Sequence, residues 1–153
     1  LDLHLIRKEP VTFWARPDHP VHARGPLALP EILRMPLATP HLNSYWRSAL
    51  TQALGGDGAA QKTVERMPQF ESDDYALLAD MVSRSDMICA GVASALAEQA
   101  EPYRLKDVKC TTPLAWNICA ARRQGTGFAA LDMFWDILVS DYGTGSVPLA
   151  RAG

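Results

Sequence analysis

Val11-Thr-Phe-Trp-Ala-Arg-Pro-Asp-His-Pro20 is the first of two stretches that decide the fold of this chain. Its β-branched and aromatic residues predict a strand, and its two prolines end that strand because proline cannot donate to a ladder. The second stretch runs from Phe70 to Gly91 with the sequence FESDDYALLADMVSRSDMICAG. It predicts the end of a strand, a helix capped by Ser72, and a buried strand at Met87–Ala90. Together the stretches indicate an α/β domain with a helix N-terminus where a small anion could bind.

Strand and helix signals alternate along the rest of the chain as well. The further predicted strands are Met35–Pro40, Val64–Glu71, Val108–Thr111 and Leu114–Ala121. The further predicted helices are Pro30–Arg34, Asn43 or Ser44 to Leu54, Ala93–Gln99, and Phe128–Val139 with Thr126 as its cap. Gly55–Gly58 predicts the most flexible loop, and the tail from Ser140 is expected to be poorly ordered. This alternation implies a mostly parallel sheet with helices on its faces.

The composition excludes several classes of protein. The chain has 153 residues, of which 48% are hydrophobic and 21% charged, and this is a globular composition. Its formal net charge of -2 offers no electrostatic footprint for nucleic acid in this stretch. The sequence shows neither an apolar run long enough for a membrane span nor a secretory signal at its start. Because it opens with Leu1 and residues of structural character, we expect it to be a piece of a longer protein.

Cysteine and histidine usage indicates neither a disulfide framework nor a metal site. Cys89, Cys110 and Cys119 are odd in number and lack CxxC spacing, which predicts reduced thiols. Cys89 and Cys119 lie in apolar runs, where a thiol behaves as a small buried hydrophobe. His19 and His22 are spaced like metal ligands, but a histidine pair in a polar loop is usually solvated. We therefore expect no metal and no cofactor.

Chemistry-bearing residues form no recognisable catalytic constellation. Ser72, Asp73 and a histidine could be combined into a triad, but no nucleophile elbow accompanies them. Ligands on parallel sheets bind outside the carboxyl ends of the strands, where helix N-termini gather. This rule directs attention to two strand-to-helix junctions, Thr39–Ser44 and Glu71–Asp73. The sequence thus favours ligand sensing over catalysis, and we do not expect an enzyme.

Several segments, taken in order, resemble the effector domain of LysR-type transcriptional regulators. These segments are Phe13–Pro20, Gly25–Leu29, Met35–Leu37, the block from Glu71 to Ile88, and Trp116–Arg123 followed by Thr126 and Phe134. Each motif is weak alone, but their order and spacing are specific, and they cover the chain up to about Val139. Gly91 departs from the proline that usually follows this strand in the family, which leaves the local turn open.

The resemblance implies an α/β, periplasmic-binding-protein-like fold (type II) with two lobes and the effector between them. In this register residues 1–16 end the first lobe and form the crossing strand, and residues 17–112 form a complete second lobe. Residues 113–139 return to the first lobe, and residues 140–153 are the tail. The DNA-binding helix-turn-helix and half of the first lobe would lie outside this chain. The apolar face of the last helix is then uncovered, which predicts that the isolated chain associates.

By the same resemblance, the two junctions would line the effector site. The expected site residues are Thr39, Pro40, His41, Asn43, Ser44, Ser72 and Asp73. The simpler alternative is that Asn43, Ser44 and Ser72 only cap their helices. Asp73 would repel an anionic ligand unless its side chain points away.

The implied function is that of the effector-sensing part of a DNA-binding transcription regulator in the cytoplasm. A small anionic metabolite would bind between the lobes and change transcription through a domain outside this chain. The partners would be this effector, further copies of the chain in a dimer or tetramer, and promoter DNA through the helix-turn-helix. Two alternatives stay open: a solute-binding protein of a transporter with the same fold, and an enzyme on a similar two-lobed scaffold.

Overall fold

The computed structural model describes residues 1–125, 127–142 and 145–146. Contacts between residues divide the chain into two compact units. The larger unit is Pro10–Leu114, and the smaller unit combines Leu1–Glu9 with the residues from Ala115 onward. A long first strand, β1 (Asp2–Ala15), contributes residues to both units.

The larger unit alternates strands with short helices after β1. In chain order its elements are a 3-10 helix (Pro20–Arg24), α1 (Leu29–Ile32), β2 (Leu37–Thr39), α2 (Ser44–Ala53), α3 (Gly58–Glu65), β3 (Phe70–Glu71), α4 (Tyr75–Ser83), β4 (Ile88–Val92), α5 (Ala93–Ala100) and β5 (Lys106–Asp107). The connections are short, as is usual in α/β units. This order of elements is the α/β alternation that the sequence predicts.

The sheet of the larger unit is mostly parallel, with β1 as the antiparallel exception. The strand order is β3-β2-β4-β1-β5. β2 pairs in parallel with β3 and β4, whereas β1 pairs antiparallel with β4 and β5. Parallel neighbours require a crossover connection, and β1 enters the unit directly from the start of the chain. Its direction is therefore not tied to that of β2, β3 and β4.

Hydrophobic residues form two clusters because successive residues of a strand point to opposite sides of the sheet. Leu37 and Ile88 belong to one cluster, while their neighbours Ala38 and Cys89 belong to the other. Residues of α1, α2 and α3 complete the first cluster, and residues of α4 and α5 complete the second. The sheet is thus covered by helices on both faces, which fixes the positions of the loops at its edge.

The helix α3 was not predicted from the sequence. Asp57 caps this helix by accepting a hydrogen bond from Ala60 N at 2.7 Å, and Val64 is buried as a helical residue. Only Phe70 and Glu71 form β3, so the predicted strand Val64–Glu71 was wrong over its first half. The physical reason is that an N-cap aspartate followed by alanines favours the start of a helix, and Ala60 and Val64, one turn apart, are buried against the core. Residue 58, predicted as loop, is the first residue of this helix.

The strand predicted at Val108–Thr111 lies earlier in the chain. β5 consists of Lys106 and Asp107, and Cys110 forms only an isolated bridge with Leu27. Val108 is nevertheless buried in the first cluster. The strand β5 ends at Asp107, but Val108 N still donates to the carbonyl oxygen of Phe13 of β1 at 2.7 Å.

The smaller unit adds strands to the first part of β1 and packs a helix beside them. Its further elements are β6 (Ala115–Arg122), α6 (Ala129–Tyr142) and β7 (Gly145–Ser146). β6 and β7 both pair with β1, the latter antiparallel through His4 and Leu5. α6 continues to Tyr142, beyond the predicted end at Val139. Thr126, its predicted cap, and most of the predicted tail lie outside the described residues.

One cysteine prediction is confirmed and another is wrong. Cys89 is fully buried, and burial raises the pKa of its thiol to about 12. Cys119 is exposed, because β6 alternates exposed and half-buried residues and places Cys119 on the exposed side. An apolar run in a strand needs to be covered on one face only, and only one face of the strand around Cys119 is partly covered.

α6 has a contacted side and an exposed apolar side. Arg122 lies 4.7 Å above the ring of Trp135 and donates to Asp132 at 2.9 Å. Large apolar side chains remain exposed on and just before the helix: Phe128 by 66%, Met133 by 64%, Phe134 by 58% and Ile137 by 50%. No helix in the described ranges is both long and apolar enough to cross a membrane.

Candidate functional site

The ends of β2 and β3 are paired directly, which brings the two predicted junctions together. Thr39 is the last residue of β2, Glu71 is the last of β3, and the two are partners in the parallel ladder. Both strands then turn into loops that lead to α2 and α4. Residues 39–44 and 71–74 therefore lie side by side at the carboxyl edge of the sheet.

The first junction is built by Thr39 and Asn43. Thr39 is buried, and its hydroxyl donates to the carbonyl oxygen of Pro40 at 2.8 Å. Asn43 caps α2, because its side-chain oxygen accepts from Trp46 N at 3.0 Å. Ser44 is the first helical residue. Of the two predicted caps, Asn43 is confirmed, and Ser44 instead begins the helix.

The second junction is built by Ser72 and Asp74. Ser72 N donates to the carbonyl oxygen of Thr39 at 3.1 Å, so Ser72 is still attached to β2. Asp74 is the cap of α4, since one carboxylate oxygen accepts from Ala76 N at 2.9 Å and from Leu77 N at 3.1 Å. The predicted capping by Ser72 was therefore wrong. Its hydroxyl accepts from Asp74 N at 3.1 Å and thereby orients the residue that does cap the helix.

Two carboxylates connect the junctions to each other. Asp73 Oδ1 accepts from His41 N at 2.9 Å. Glu71 Oε1 lies 2.9 Å from His41 Nδ1, and Glu71 Oε2 accepts from Leu42 N at 3.5 Å. The side chain of Asp73 thus points at the first junction, which is the arrangement expected to disfavour an anionic ligand.

Arg47 supports this arrangement from the first turn of α2. Its guanidinium donates to the carbonyl oxygen of Leu42 at 3.0 Å, of Val64 at 3.1 Å and of Met67 at 2.9 Å. It also lies 3.5 Å from Glu71 Oε2. The His41 hydrogen bond, followed by Leu42 N and the charges of His41 and Arg47, lowers the pKa of Glu71, while desolvation opposes the shift. Glu71 is therefore held as a carboxylate.

Tyr75, the first residue of α4, lies beside the second junction. Its ring packs against Gly91 of β4, and burial raises the pKa of its phenol, which a hydrogen bond with the Val92 backbone partly offsets. The charge of nearby Asp73 acts in the same direction as burial. Tyr75 thus presents a half-buried phenol at the end of β4, close enough to Asp73 for the charge of that carboxylate to act on it.

All seven predicted site residues lie in these two junctions, whose geometry the sequence reasoning described only in part. Three residues of the arrangement were not among them: Arg47, Glu71 and Tyr75. Glu71 begins the second junction that the sequence indicated, although it was not counted among the site residues, and the structure pairs it with Thr39. No signal in the sequence points to the carbonyl contacts of Arg47.

The histidine pair of the early loop is hydrogen-bonded to backbone groups, within its own turn and, through His19 Nε2 at 3.2 Å, to the carbonyl oxygen of Asp86. His19 Nδ1 accepts from Val21 N at 3.0 Å, and His22 Nε2 lies 3.0 Å from the carbonyl oxygen of Arg16. Among the residues that the structure describes, no group of three histidine, cysteine or acidic side chains is arranged to hold a metal ion. These histidines stabilise the turn after β1.

The sequence and the fold agree with one family of known proteins. The family model described as LysR substrate binding domain matches residues 1–142. A search of curated proteins finds no match. Among solved structures, the regulatory domain of MetR from N. meningitidis has a TM-score of 0.64 at 15% identity, covering 96% of this chain and 69% of that one.

Two further solved structures show the same likeness. The Synechocystis PCC6803 CcmR regulatory domain, in complex with 2-PG, has a TM-score of 0.63 at 14% identity, covering 92% of this chain and 66% of that one. HinK, a LysR family transcriptional regulator from Pseudomonas aeruginosa, has a TM-score of 0.63 at 12% identity, with coverages of 93% and 48%. The chain thus spans less than two thirds of the CcmR and HinK chains.

At these identities the structural likeness establishes the fold, which is α/β and periplasmic-binding-protein-like. The predicted fold class is confirmed. The family consists of transcription regulators with a small-molecule-binding domain, and the predicted family is confirmed by the match over residues 1–142. This chain belongs to the LysR substrate-binding domain family.

Proposed function

We propose that this chain is the effector-sensing part of a LysR-type transcription regulator, and that a small metabolite binds at the two junctions. The observation that carries the proposal is the pairing of Thr39 with Glu71, which sets the ends of β2 and β3 side by side. The N-termini of α2 and α4 follow within a few residues. A small polar molecule placed there would contact both helices and both loops at once.

The effector would act by shifting an equilibrium between conformations of the regulator. Such a shift requires that the ligand bind one conformation better than another. We propose that the response passes to promoter DNA through a helix-turn-helix outside this chain, within a cytoplasmic homo-oligomer.

The junctions support sensing rather than catalysis. The hydroxyl of Thr39 donates to a backbone carbonyl, and the hydroxyl of Ser72 accepts from a backbone N–H. His41 is hydrogen-bonded to Glu71 rather than to either hydroxyl. A nucleophile is activated by a base within hydrogen-bond reach, and neither hydroxyl is paired in that way. We therefore propose that the chain is not an enzyme.

Thermal-shift screening of small metabolites, followed by mapping of amide shifts by NMR, tests the site. We expect hits to shift the amides of residues 39, 41–44 and 71–75, since Pro40 has no N–H. Thr39 is buried, and its hydroxyl donates to the carbonyl oxygen of Pro40, so it acts on the ligand only by holding the first junction. Thr39→Val should therefore weaken binding by roughly tenfold, because the loop loses this hydrogen bond. Thr63→Val is the matched control, since its hydroxyl also donates to a backbone carbonyl, Ala59 O at 2.9 Å, but on α3.

Hits whose amide shifts fall outside both junctions would contradict the proposed site, as would equal affinities for the two threonine variants. The transporter alternative is separated by DNA binding. A longer protein that carries this domain should bind a promoter fragment with an affinity that changes when the hit is added. A transporter component would show no such dependence.

A further inference from the structure

The donors at the two junctions form an anion receptor that the chain fills with its own side chains. The donors are the backbone N–H groups of His41 and Leu42, with the imidazole of His41 and the guanidinium of Arg47 beside them. Backbone N–H groups and positive side chains in such an arrangement suit a carboxylate or a phosphate. Asp73 and Glu71 already supply one carboxylate each.

An external anion would compete poorly for these donors. It would have to displace carboxylates that are attached to the chain, and it would lose translational and rotational freedom that Asp73 and Glu71 do not lose. The displaced carboxylates would remain nearby and repel it. The negative group of the predicted anionic effector would therefore need to bind to residues other than His41 and Leu42.

We infer that Glu71 and Asp73 set the ligand specificity of the junctions: they exclude a carboxylate or phosphate and accept a group that donates hydrogen bonds. This inference rests on the proposed function, because it takes the junctions as the effector site. A carboxylate oxygen accepts more than one hydrogen bond, so both side chains can receive a ligand donor while keeping His41 and Leu42. Both are within reach of a ligand, since Asp73 is exposed and the Glu71 side chain is 35% exposed.

Two double variants distinguish the occupation of the donors by Glu71 and Asp73 from the negative charge of these two side chains. Glu71→Ala with Asp73→Ala frees the donors and removes both charges. Glu71→Gln with Asp73→Asn removes the charges but keeps oxygen acceptors in place. Asp80→Ala with Asp107→Ala changes the net charge equally at residues that pair with Arg84 and Lys109, away from the junctions.

The probes are succinate and putrescine, which share a four-carbon chain and differ in the sign of their end groups. In the wild-type chain we expect putrescine, and not succinate, to shift the amides of His41 and Leu42. In the alanine pair we expect succinate affinity to rise by roughly ten- to a hundredfold and the preference to invert. The amide pair should gain less, and the control pair should behave as wild type.

Succinate binding to wild type at the His41 and Leu42 amides would overturn the inference while leaving the proposed site in place. A folded alanine pair without gain in succinate affinity, or an amide pair that gains as much, would also overturn it. If the alanine pair does not fold, Asp73→Ala alone frees His41 N and should show the smaller gain. Failure of the proposed function has a different signature, since screening hits would then shift amides outside the junctions.

Discussion

A Cβ atom at position 91 would lie 2.7 Å from Cε1 of Tyr75, so the glycine of β4 and the tyrosine of α4 occupy one space between them. Gly91 lies inside β4, at the position where the resemblance leads us to expect proline, and proline also carries a Cβ. The departure at Gly91 is therefore explained by the aromatic ring that lies over it. The two residues form a matched pair beside the second junction.

This pairing predicts a specific coupling between two substitutions. Gly91→Ala should lower the free energy of unfolding by about 1 kcal/mol, because the ring of Tyr75 must shift to admit the methyl group. In a Tyr75→Ala background the same change should cost much less. Urea denaturation of the two single variants and the double variant measures the coupling. Additive effects would show that the ring and the glycine are independent.

The capping assignment gives a second prediction. Asp74→Ala should destabilise the chain by about 1 kcal/mol, because two N–H groups in the first turn of α4 lose their acceptor. Ser72→Ala removes only the hydroxyl that orients Asp74 and should cost less. Urea denaturation ranks the two. A larger loss for Ser72→Ala would restore the original assignment of the cap.

Arg47 gives a third prediction, through its backbone acceptors. Arg47→Met keeps much of the side-chain volume but leaves the carbonyl oxygens of Leu42, Val64 and Met67 without this donor. We expect a loss of about 1–3 kcal/mol in the free energy of unfolding. Arg34→Met is the control, because the exposed Arg34 donates to a single carbonyl within its own turn. Equal losses for the two variants would contradict the role assigned to Arg47.

Glu71 makes stability depend on pH in the acid range. Its pKa is lowered in the folded chain, chiefly by the hydrogen bond with His41. The unfolded chain then binds more protons, so this contribution is complete above the unfolded pKa and is lost as the pH falls through the folded pKa. Glu71→Gln should therefore be less stable than wild type at neutral pH and equally stable in strong acid. Urea melts over this range check it, and a deficit that does not change with pH would contradict it.

The exposed side of α6 predicts self-association of the chain. Phe128→Ser with Phe134→Gln removes two large apolar side chains, exposed by 66% and 58%, and should shift sedimentation toward the monomer. Leu77→Gln, on the exposed face of α4 in the larger unit, is the control and should leave the distribution unchanged. A wild-type chain that sediments as a single monomer would contradict this prediction.

Elements with strong periodic or turn signals were predictable from the sequence. Leu78 and Val82 are spaced for a helix and are buried there, and the apolar run around Cys89 forms a parallel strand. α3 was missed because Val64, a β-branched residue, suggests a strand, although Pro68 already argued for an edge strand or a late start. The segment is helical because Asp57 caps it. Whether such a cap outweighs the strand preference of a β-branched residue depends on tertiary packing, which the sequence does not show.

The position of the candidate site on the fold was predictable from the sequence, but the hydrogen bonds within it were not. Strand ends followed by helix starts located Thr39 and Ser72 without any three-dimensional information. Which acceptor meets which donor depends on the register of β2 with β3, and short strands leave that register open in sequence. The contact of Asp73 with His41 N is a product of this register.

The three carbonyl contacts of Arg47 make α3 part of the same cooperative opening unit as the loop around Leu42. Local unfolding of α3 and of the residues just after it would release the carbonyl oxygens of Val64 and Met67, and the guanidinium of Arg47 would then lose two of its three backbone acceptors. Amide hydrogen exchange should accordingly show α3 and residues 41–43 opening with similar free energies. Surface changes on α3 would then alter how often the proposed site is intact, although α3 lies outside that site.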